Sequence, residues 1–364
     1  MSLTDTAPTA SAADRIRELG VDLPVSRVVR ETADAVSISF AVPDAHVEEF
    51  SYRPGQFVTV RVPAGPGDGD RYARSYSLSS APGLDRELTI TVKRTPGGRA
   101  SGWLVDNARE GMTLRVLAPA GLFTPADLDH DLLLWAAGSG ITPVFSIARA
   151  ALARGAGAVT LVACHRDAEQ EIFGDRLAEL VRRHPDRFTV ITRLSSETGR
   201  LTSDAVQDLA AGRPWDEAFV CGPAGFMDTV RAGLRELREK AGAAAGTDAA
   251  PVHVEEFTSI EGDPFVLEEL ATGTAAFEAT VALDGATHEV EWPAQATLVD
   301  VLLGRGIRVP YSCREGDCGS CMSKLRRGRV EMACTDALEP EDIEDGYILA
   351  CQARPTEGPL DVEF

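Results

Sequence analysis

The sequence predicts a multidomain chain: an antiparallel β-barrel, then a doubly wound α/β domain, then a small α+β domain. Three observations predict it. A length of 364 residues is more than one hydrophobic core comfortably serves. Short β-rich stretches between Gly/Pro turns give way near Asp131 to strands alternating with helices. The C-terminal part mixes short strands with one short helix and crowds three cysteines between Cys313 and Cys321.

In the first part, strand patterns at 57–62, 75–79, 88–92 and 113–117 are separated by Pro and Gly clusters such as 63–69 and 96–98. Many short strands with such turns make an antiparallel barrel. Further on, apolar strands are expected at 131–135, 159–163, 188–193, 218–220 and 252–255. Helical patterns at 143–152, 175–183, 203–211 and 225–240 fall between them, which implies a parallel sheet covered on both faces. The Ala/Gly-rich segment 241–250 reads as a loop. Alternating strands at 277–283 and 288–292 flank Asp284-Gly285, a hairpin signal, and 298–304 reads as a short helix. The expected boundaries are a disordered tail at 1–21, domains at 22–125 and 126–258, a linker at 259–275 and a C-terminal domain at 276–364.

Composition narrows the function class. Hydrophobic content of 44% and charged content of 25% are ordinary for a soluble globular protein. A formal charge of −20 argues against a nucleic-acid surface and suits docking to a basic partner. No run approaches the length of a membrane span. The Thr/Ala/Ser-rich start lacks a basic head and an apolar core, so it reads as a tail rather than a signal peptide. Seven cysteines, an odd number and partly clustered, favour metal ligation in a reducing compartment over disulfides. The expected address is the cytoplasm, and the expected state a monomer.

The sharpest signal is Cys313-x4-Cys318-x2-Cys321 with Cys351 following after 29 residues. This is the plant-type [2Fe–2S] spacing, in which four thiolates hold two irons. Gly316 and Gly319 suit a loop that turns its backbone N–H groups toward anionic sulfur. A four-cysteine zinc site is the alternative, although zinc loops usually come as two C-x2–4-C pairs. Cys164, Cys221 and Cys334 are not read as ligands.

The run Tyr311-Ser312-Cys313-Arg314-Glu315-Gly316-Asp317-Cys318-Gly319-Ser320-Cys321, with Leu349-Ala350-Cys351-Gln352, resembles the C-terminal ferredoxin module of bacterial oxygenase reductases. The resemblance implies a β-grasp-like fold for that module. It also implies a flavin unit similar to ferredoxin–NADP⁺ reductases before it. Arg74-Ser75-Tyr76-Ser77 matches that family's R-x-Y-S motif. The carry-over gives Arg74 to a flavin phosphate, Tyr76 to the isoalloxazine face and Ser77 to the vicinity of the ring's N5. A planar cationic fork suits phosphate and an aromatic face suits a flat ring.

Val92-Lys93-Arg94 and Gly98-Arg99-Ala100-Ser101-Gly102 resemble the strand and turn that hold a flavin pyrophosphate, which favours FAD over FMN. Within that turn Gly98, Ala100 and Ser101 are the expected contacts, with Ser101 as a helix cap. Phe257, after His253-Val254-Glu255-Glu256, is expected to cover the flavin's other face.

Gly138-Ser139-Gly140-Ile141-Thr142-Pro143 joins a strand to a helix, where a dinucleotide pyrophosphate can rest on free N–H groups. It is the reductase family's G-x-G-x-x-P variant, with Gly138, Gly140, Thr142 and Pro143 as expected contacts. Pro143 is placed at the first helical position. Cys221-Gly222-Pro223 matches the family's motif beside the nicotinamide and gives Cys221 a packing role at the hydride path. At the second strand's end, Arg166 suits a 2′-phosphate and Asp167 a ribose hydroxyl; the reading leans to NADH.

The resemblance implies an NAD(P)H-dependent reductase that passes electrons through FAD and a [2Fe–2S] cluster to an oxygenase, with Ser77 and Cys221 at the reacting centre. Ile260-Glu261-Gly262-Asp263-Pro264-Phe265 and Asp345-Gly346-Tyr347-Ile348-Leu349 resemble reductases of 3-ketosteroid 9α-hydroxylases, whose partner is of Rieske type. Reductases of di-iron phenylacetyl-CoA epoxidases share the domain order, and a cytochrome P450 partner is a third reading. A protein of another class, a non-turnover electron wire with a structural metal, would show zinc and no flavin.

Overall fold

The structure, a computed structural model, describes residues 16–63, 71–240, 250–268 and 275–364. It divides into two compact units, Asp22–Ser259 and Ile260–Phe364, the latter taking with it the chain up to Val21. Expectations for residues 1–15, the 64–69 part of the first Pro/Gly cluster and most of the Ala/Gly loop lie outside the described residues.

The first strand, β1 (Ile16–Glu18), belongs to the C-terminal unit and is taken up there. The larger unit opens with β2 (Val21–Thr32), β3 (Ala35–Phe40), β4 (Phe57–Pro63), β5 (Arg71–Ser77) and β6 (Leu88–Lys93), then helix α1 (Arg99–Asn107) and β7 (Thr113–Val116). These six strands form one sheet in the order β5-β4-β7-β2-β3-β6. A bridge between Leu78, just past β5, and Ile90 of β6 links its two ends. The β-branched runs AVSISF and FVTVRV are buried along almost their whole length, so both faces of these strands pack. Buried hydroxyls in this sheet and just past β5 need partners and find one another: Ser37 with Thr91 at 2.8 Å, and Ser79 with Thr91 at 2.8 Å.

The same unit continues with β8 (Leu132–Ala137), α2 (Ile141–Arg154), β9 (Val159–His165), α3 (Gly174–Arg183), β10 (Phe188–Leu194), α4 (Ser195–Thr198), α5 (Ser203–Ala210), β11 (Glu217–Cys221), α6 (Ala224–Lys240) and β12 (Val252–Glu255). The five strands are parallel, in the order β10-β9-β8-β11-β12. Leu132, Leu134 and Leu161 bury one face with α2, while Leu133, Trp135 and Val162 bury the other with Val206 and Val230 of α5 and α6. Burial on both faces explains the continuous apolar runs.

One local expectation shifts here. Helix α2 begins at Ile141, so Pro143 is the third helical residue and not the first. The first four helical N–H groups have no intrahelical partner, so proline costs nothing there either.

The C-terminal unit holds β13 (Val266–Glu268), β14 (Ala276–Leu283), β15 (Ala286–Pro293), α7 (Leu298–Gly304), β16 (Met322–Met332), α8 (Pro340–Glu344), β17 (Tyr347–Leu349) and β18 (Ala353–Glu363). Five strands form a mixed sheet, β15-β14-β18-β16-β17, with β14 and β18 parallel. Asp284 and Gly285 both have positive φ, 50° and 75°, as a two-residue hairpin turn requires.

The expected tail and linker are corrected in part. Residues 16–18 pair antiparallel with β13, and Leu19 N–H donates to the Phe265 carbonyl at 2.7 Å. Ile260, Phe265 and Leu267 are buried, so 260–267 is a packed part of the C-terminal unit. Burial of these apolar side chains is what turns a stretch that reads as a spacer into structure.

Candidate functional site

Three of the four expected cluster ligands, Cys313, Cys321 and Cys351, are buried, and Cys318 is half-buried. The first three in sequence lie on the loop between α7 and β16, and Cys351 follows β17. The loop curls because Arg314, Gly316 and Gly319 all have positive φ, 63°, 97° and 67°. At Gly316 a Cβ would lie 2.7 Å from Cys334 Sγ, so only glycine fits under that fifth thiol.

The four sulfurs converge. Cys318 and Cys351 hydrogen-bond to Cys313, which pushes the Cys313 thiol far down, and Cys351 does the same to Cys321. Backbone N–H groups also aim at sulfur: Glu315 at Cys313 Sγ and Cys351 at Cys321 Sγ, each at 3.4 Å. The Gln352 amide reaches Cys351 Sγ at 3.7 Å. Ser320 Oγ is buried within the loop and hydrogen-bonds to the Cys318 thiol. Convergent thiols, aimed N–H donors and a buried hydroxyl on Cys318 fit an anionic iron–sulfur group.

In the larger unit, Arg74, Tyr76 and Ser77 lie on β5. Arg74 and Tyr76 alternate on one face of the strand and Ser77 projects from the other. Tyr76 is half-buried, and burial pushes its hydroxyl above the ordinary range. The Arg74 guanidinium sits 5.4 Å from the Tyr72 ring and Arg99 sits 5.5 Å from the same ring. Tyr72 and Arg99 were not singled out in the sequence, because a lone tyrosine and a lone arginine are ordinary surface residues.

Arg99 opens α1 after Gly98, which offers no side-chain cap, so the first helical N–H groups have no capping side chain. Ser101 does not cap α1: it lies inside the first turn, and its Oγ accepts from Thr95 N–H at 3.1 Å. Ala100 is buried in that turn. Val92 is buried in the sheet, so only its backbone is available to a ligand. Lys93 Nζ donates to Gln170 Oε1 at 3.2 Å and pairs with Asp34 at 3.7 Å.

The parallel sheet changes winding direction between β8 and β11, the place where ligands bind in such sheets. Gly138–Gly140 forms a 3₁₀ turn after β8, and Gly222 and Pro223 follow β11. A Cβ on Gly140 would lie 2.1 Å from the Cys221 carbonyl oxygen, so the two loops touch only because Gly140 has no side chain. Thr142 is buried, and its hydroxyl donates to the Ser139 carbonyl at 2.9 Å, closing the turn. Arg166 is exposed at the end of β9, and Asp167 Oδ1 accepts from Gln170 N–H at 3.1 Å.

Ser77 and Cys221 meet through a residue the sequence did not single out. Ser77 Oγ donates to Glu255 Oε2 at 3.2 Å, and Glu255 is the strand partner of Cys221. Burial raises the Glu255 carboxyl to about 8, and burial with the Glu255 charge raises the Cys221 thiol. Phe257, two residues on, is an aromatic residue 47% exposed. Only the His-x-Glu-x-Phe run marked this place in the sequence.

Known families match in order along the chain: an oxidoreductase FAD-binding domain over residues 22–124, an oxidoreductase NAD-binding domain over 134–232, and a 2Fe-2S iron-sulfur cluster binding domain over 281–356. The chain is 50% identical to the ferredoxin reductase component of 3-ketosteroid-9-alpha-monooxygenase from Rhodococcus rhodochrous, covering 94% of this chain and 97% of that protein. It is 34% identical to a component of the 1,2-phenylacetyl-CoA epoxidase of Escherichia coli K12, covering 94% and 97%. Among solved structures, phthalate dioxygenase reductase superposes with a TM-score of 0.53 at 25% identity, over 95% of this chain and 98% of that one. With FAD, NAD and [2Fe–2S] domains in this order and relatives aligned over nearly their full length, the chain belongs to the family of oxygenase reductase components.

Proposed function

We propose that this reductase carries electrons from NADH to the Rieske-type oxygenase of a 3-ketosteroid 9α-hydroxylating system, in the cytoplasm and as a monomer. The observation that carries the partner is the 50% identity to the steroid-system reductase against 34% to the epoxidase component. We read the first sheet, bridged end to end at Leu78 and Ile90, as a closed barrel, and the mixed C-terminal sheet with α7 as a β-grasp.

When bound, FAD would supply the exchange between two-electron and one-electron transfer and the cluster one-electron transfer. The chain's residues bind and orient. Arg74, Arg99 and the open start of α1 hold flavin phosphates, with Lys93 beside them, and Tyr76 packs on the ring. Gly138, Gly140 and the start of α2 receive the dinucleotide pyrophosphate, with Cys221, Gly222 and Pro223 lining the nicotinamide end and Phe257 the cover. Arg166, exposed after β9, would meet the adenosine ribose. Ser77 and Glu255 hold a proton between Oγ and Oε2, because a carboxyl that titrates near 8 is mostly neutral at neutral pH. Cys221 stays a thiol and does no covalent chemistry. Cys313, Cys318, Cys321 and Cys351 hold the cluster.

Anaerobic titration with NADH and NADPH, followed by turnover with each purified oxygenase, tests the reading. NADH should act at the lower concentration and support steroid hydroxylation. Preference for NADPH would overturn the nucleotide assignment, and turnover with the epoxidase oxygenase alone would overturn the partner.

A further inference from the structure

The segment that follows Ser259 is fastened to the cluster loop by two neighbouring residues. Glu315 Oε1 accepts from Glu261 N–H at 2.9 Å and from Gly262 N–H at 2.5 Å, and Oε2 accepts from Glu261 N–H at 3.2 Å. Arg314 donates to the Val266 carbonyl and to Asp300 Oδ1. Val266 is in turn the strand partner of Glu18, so β1 and β13 stand behind these contacts. At its other end Glu315 touches the ligand set, because its own N–H donates to Cys313 Sγ at 3.4 Å. A cleft of about 380 Å³, lined by Gly262, Asp263, Asp300, Cys313, Glu315 and Cys351 among others, lies along this contact.

We propose that Glu315 is a positioning residue through which the 260–268 segment sets the reduction potential of the cluster at Cys313. The carboxylate ties the loop backbone to the Glu261 and Gly262 amides. That tie fixes how closely the Glu315 N–H approaches sulfur. An N–H donor stabilises the more electron-rich reduced sulfurs, so holding it close favours reduction. The carboxylate's own negative charge acts in the opposite direction, disfavouring a further electron nearby. The two effects have opposite signs, so substitutions separate them. The inference does not depend on which oxygenase accepts the electron.

The test is an anaerobic redox titration of the full-length protein, followed by electron paramagnetic resonance of the reduced cluster, with iron and sulfide content measured alongside. Glu315→Asp keeps the charge but shortens the reach by one methylene. Gly262→Pro removes one donor and leaves Glu315 intact. Both should lower the reduced-to-oxidised ratio at a fixed potential by roughly three- to tenfold, the worth of about one hydrogen bond. Glu315→Gln keeps an acceptor and drops the charge, so its ratio should rise.

Wild-type titration of both Glu315→Asp and Gly262→Pro would overturn the proposal, as would Glu315→Asp shifting in the same direction as Glu315→Gln. If Glu315→Asp fails to retain iron, Gly262→Pro decides: a shift supports the tie, and an unchanged potential and resonance rejects it.

Discussion

Ser77 Oγ and Glu255 Oε2 lie 3.2 Å apart, joining the end of β5 to the end of β12. The two residues are 178 positions apart in the chain. Their hydrogen bond brings the flavin strand and the nicotinamide sheet to one corner, with Cys221 beside Glu255.

Glu255→Gln should slow flavin reduction by NADH on the order of 10²-fold, the lower range for a positioned proton-transfer group. Wild-type rates should change with pH around 8, where Glu255 titrates, and the variant should lose that dependence. Folding stability carries a matching sign. A carboxyl raised to about 8 binds its proton more tightly folded than unfolded, so rising pH between the ordinary value of 4.5 and 8 removes stability. The glutamine variant should therefore gain on wild type as pH rises through that window. Rapid-mixing kinetics and thermal melts across pH check both.

Arg74→Ala and Arg99→Ala should each weaken FAD retention by roughly 10- to 100-fold, since a charge-assisted hydrogen bond is worth about 1.5–3 kcal/mol. Both guanidinium groups flank the Tyr72 ring. Flavin content after gel filtration and fluorescence titration of the apoprotein measure the loss. Full flavin content in both variants would reject the phosphate assignment.

Cys318→Ser should abolish cluster assembly while leaving NADH-driven reduction of small dyes within about twofold of wild type. The reason is modularity: Cys318 lies in the Ile260–Phe364 unit, and the FAD-binding and NAD-binding domains lie in Asp22–Ser259. Iron content and dye reduction on the same preparation decide it, and loss of dye reduction in a folded variant would contradict the modular path.

At the start of β11, buried Glu217 accepts from Ala126 N–H, from His130 Nδ1 at 2.8 Å and from His253 Nε2 at 3.0 Å. The Glu217 hydrogen bond raises the His130 imidazole above its ordinary value. A raised histidine contributes stability that is complete below about 6.5 and is lost as pH climbs through the folded value. Glu217→Gln should therefore lose more melting temperature near pH 6 than near pH 9. His130 is 38% exposed, so solvent screening keeps this pH-dependent part small. Equal losses at both pH values would show that the pair is not charged.

Local patterns made much of the fold legible. Strand and helix positions in the parallel sheet fall within two residues of their sequence patterns, because burial on both faces writes continuous apolar runs between polar turns. Residues 260–267 misled for the opposite reason: their glycine, proline and acids read as a spacer, and Phe265 and Leu267 become core only once β1 folds back on them.

The sequence by itself determined the order of the domains, the spacing of the four clustered thiols, and the glycine turn at Gly138–Gly140, because each depends on residue types at short fixed spacings. Only the tertiary structure decided that Glu255 meets Ser77, that Arg99 joins Arg74 at Tyr72, and that Glu315 holds Glu261 and Gly262. Glutamates and arginines are common on any surface. What distinguishes these is the partner that folding sets beside them, and a contact between distant segments leaves no local spacing to read.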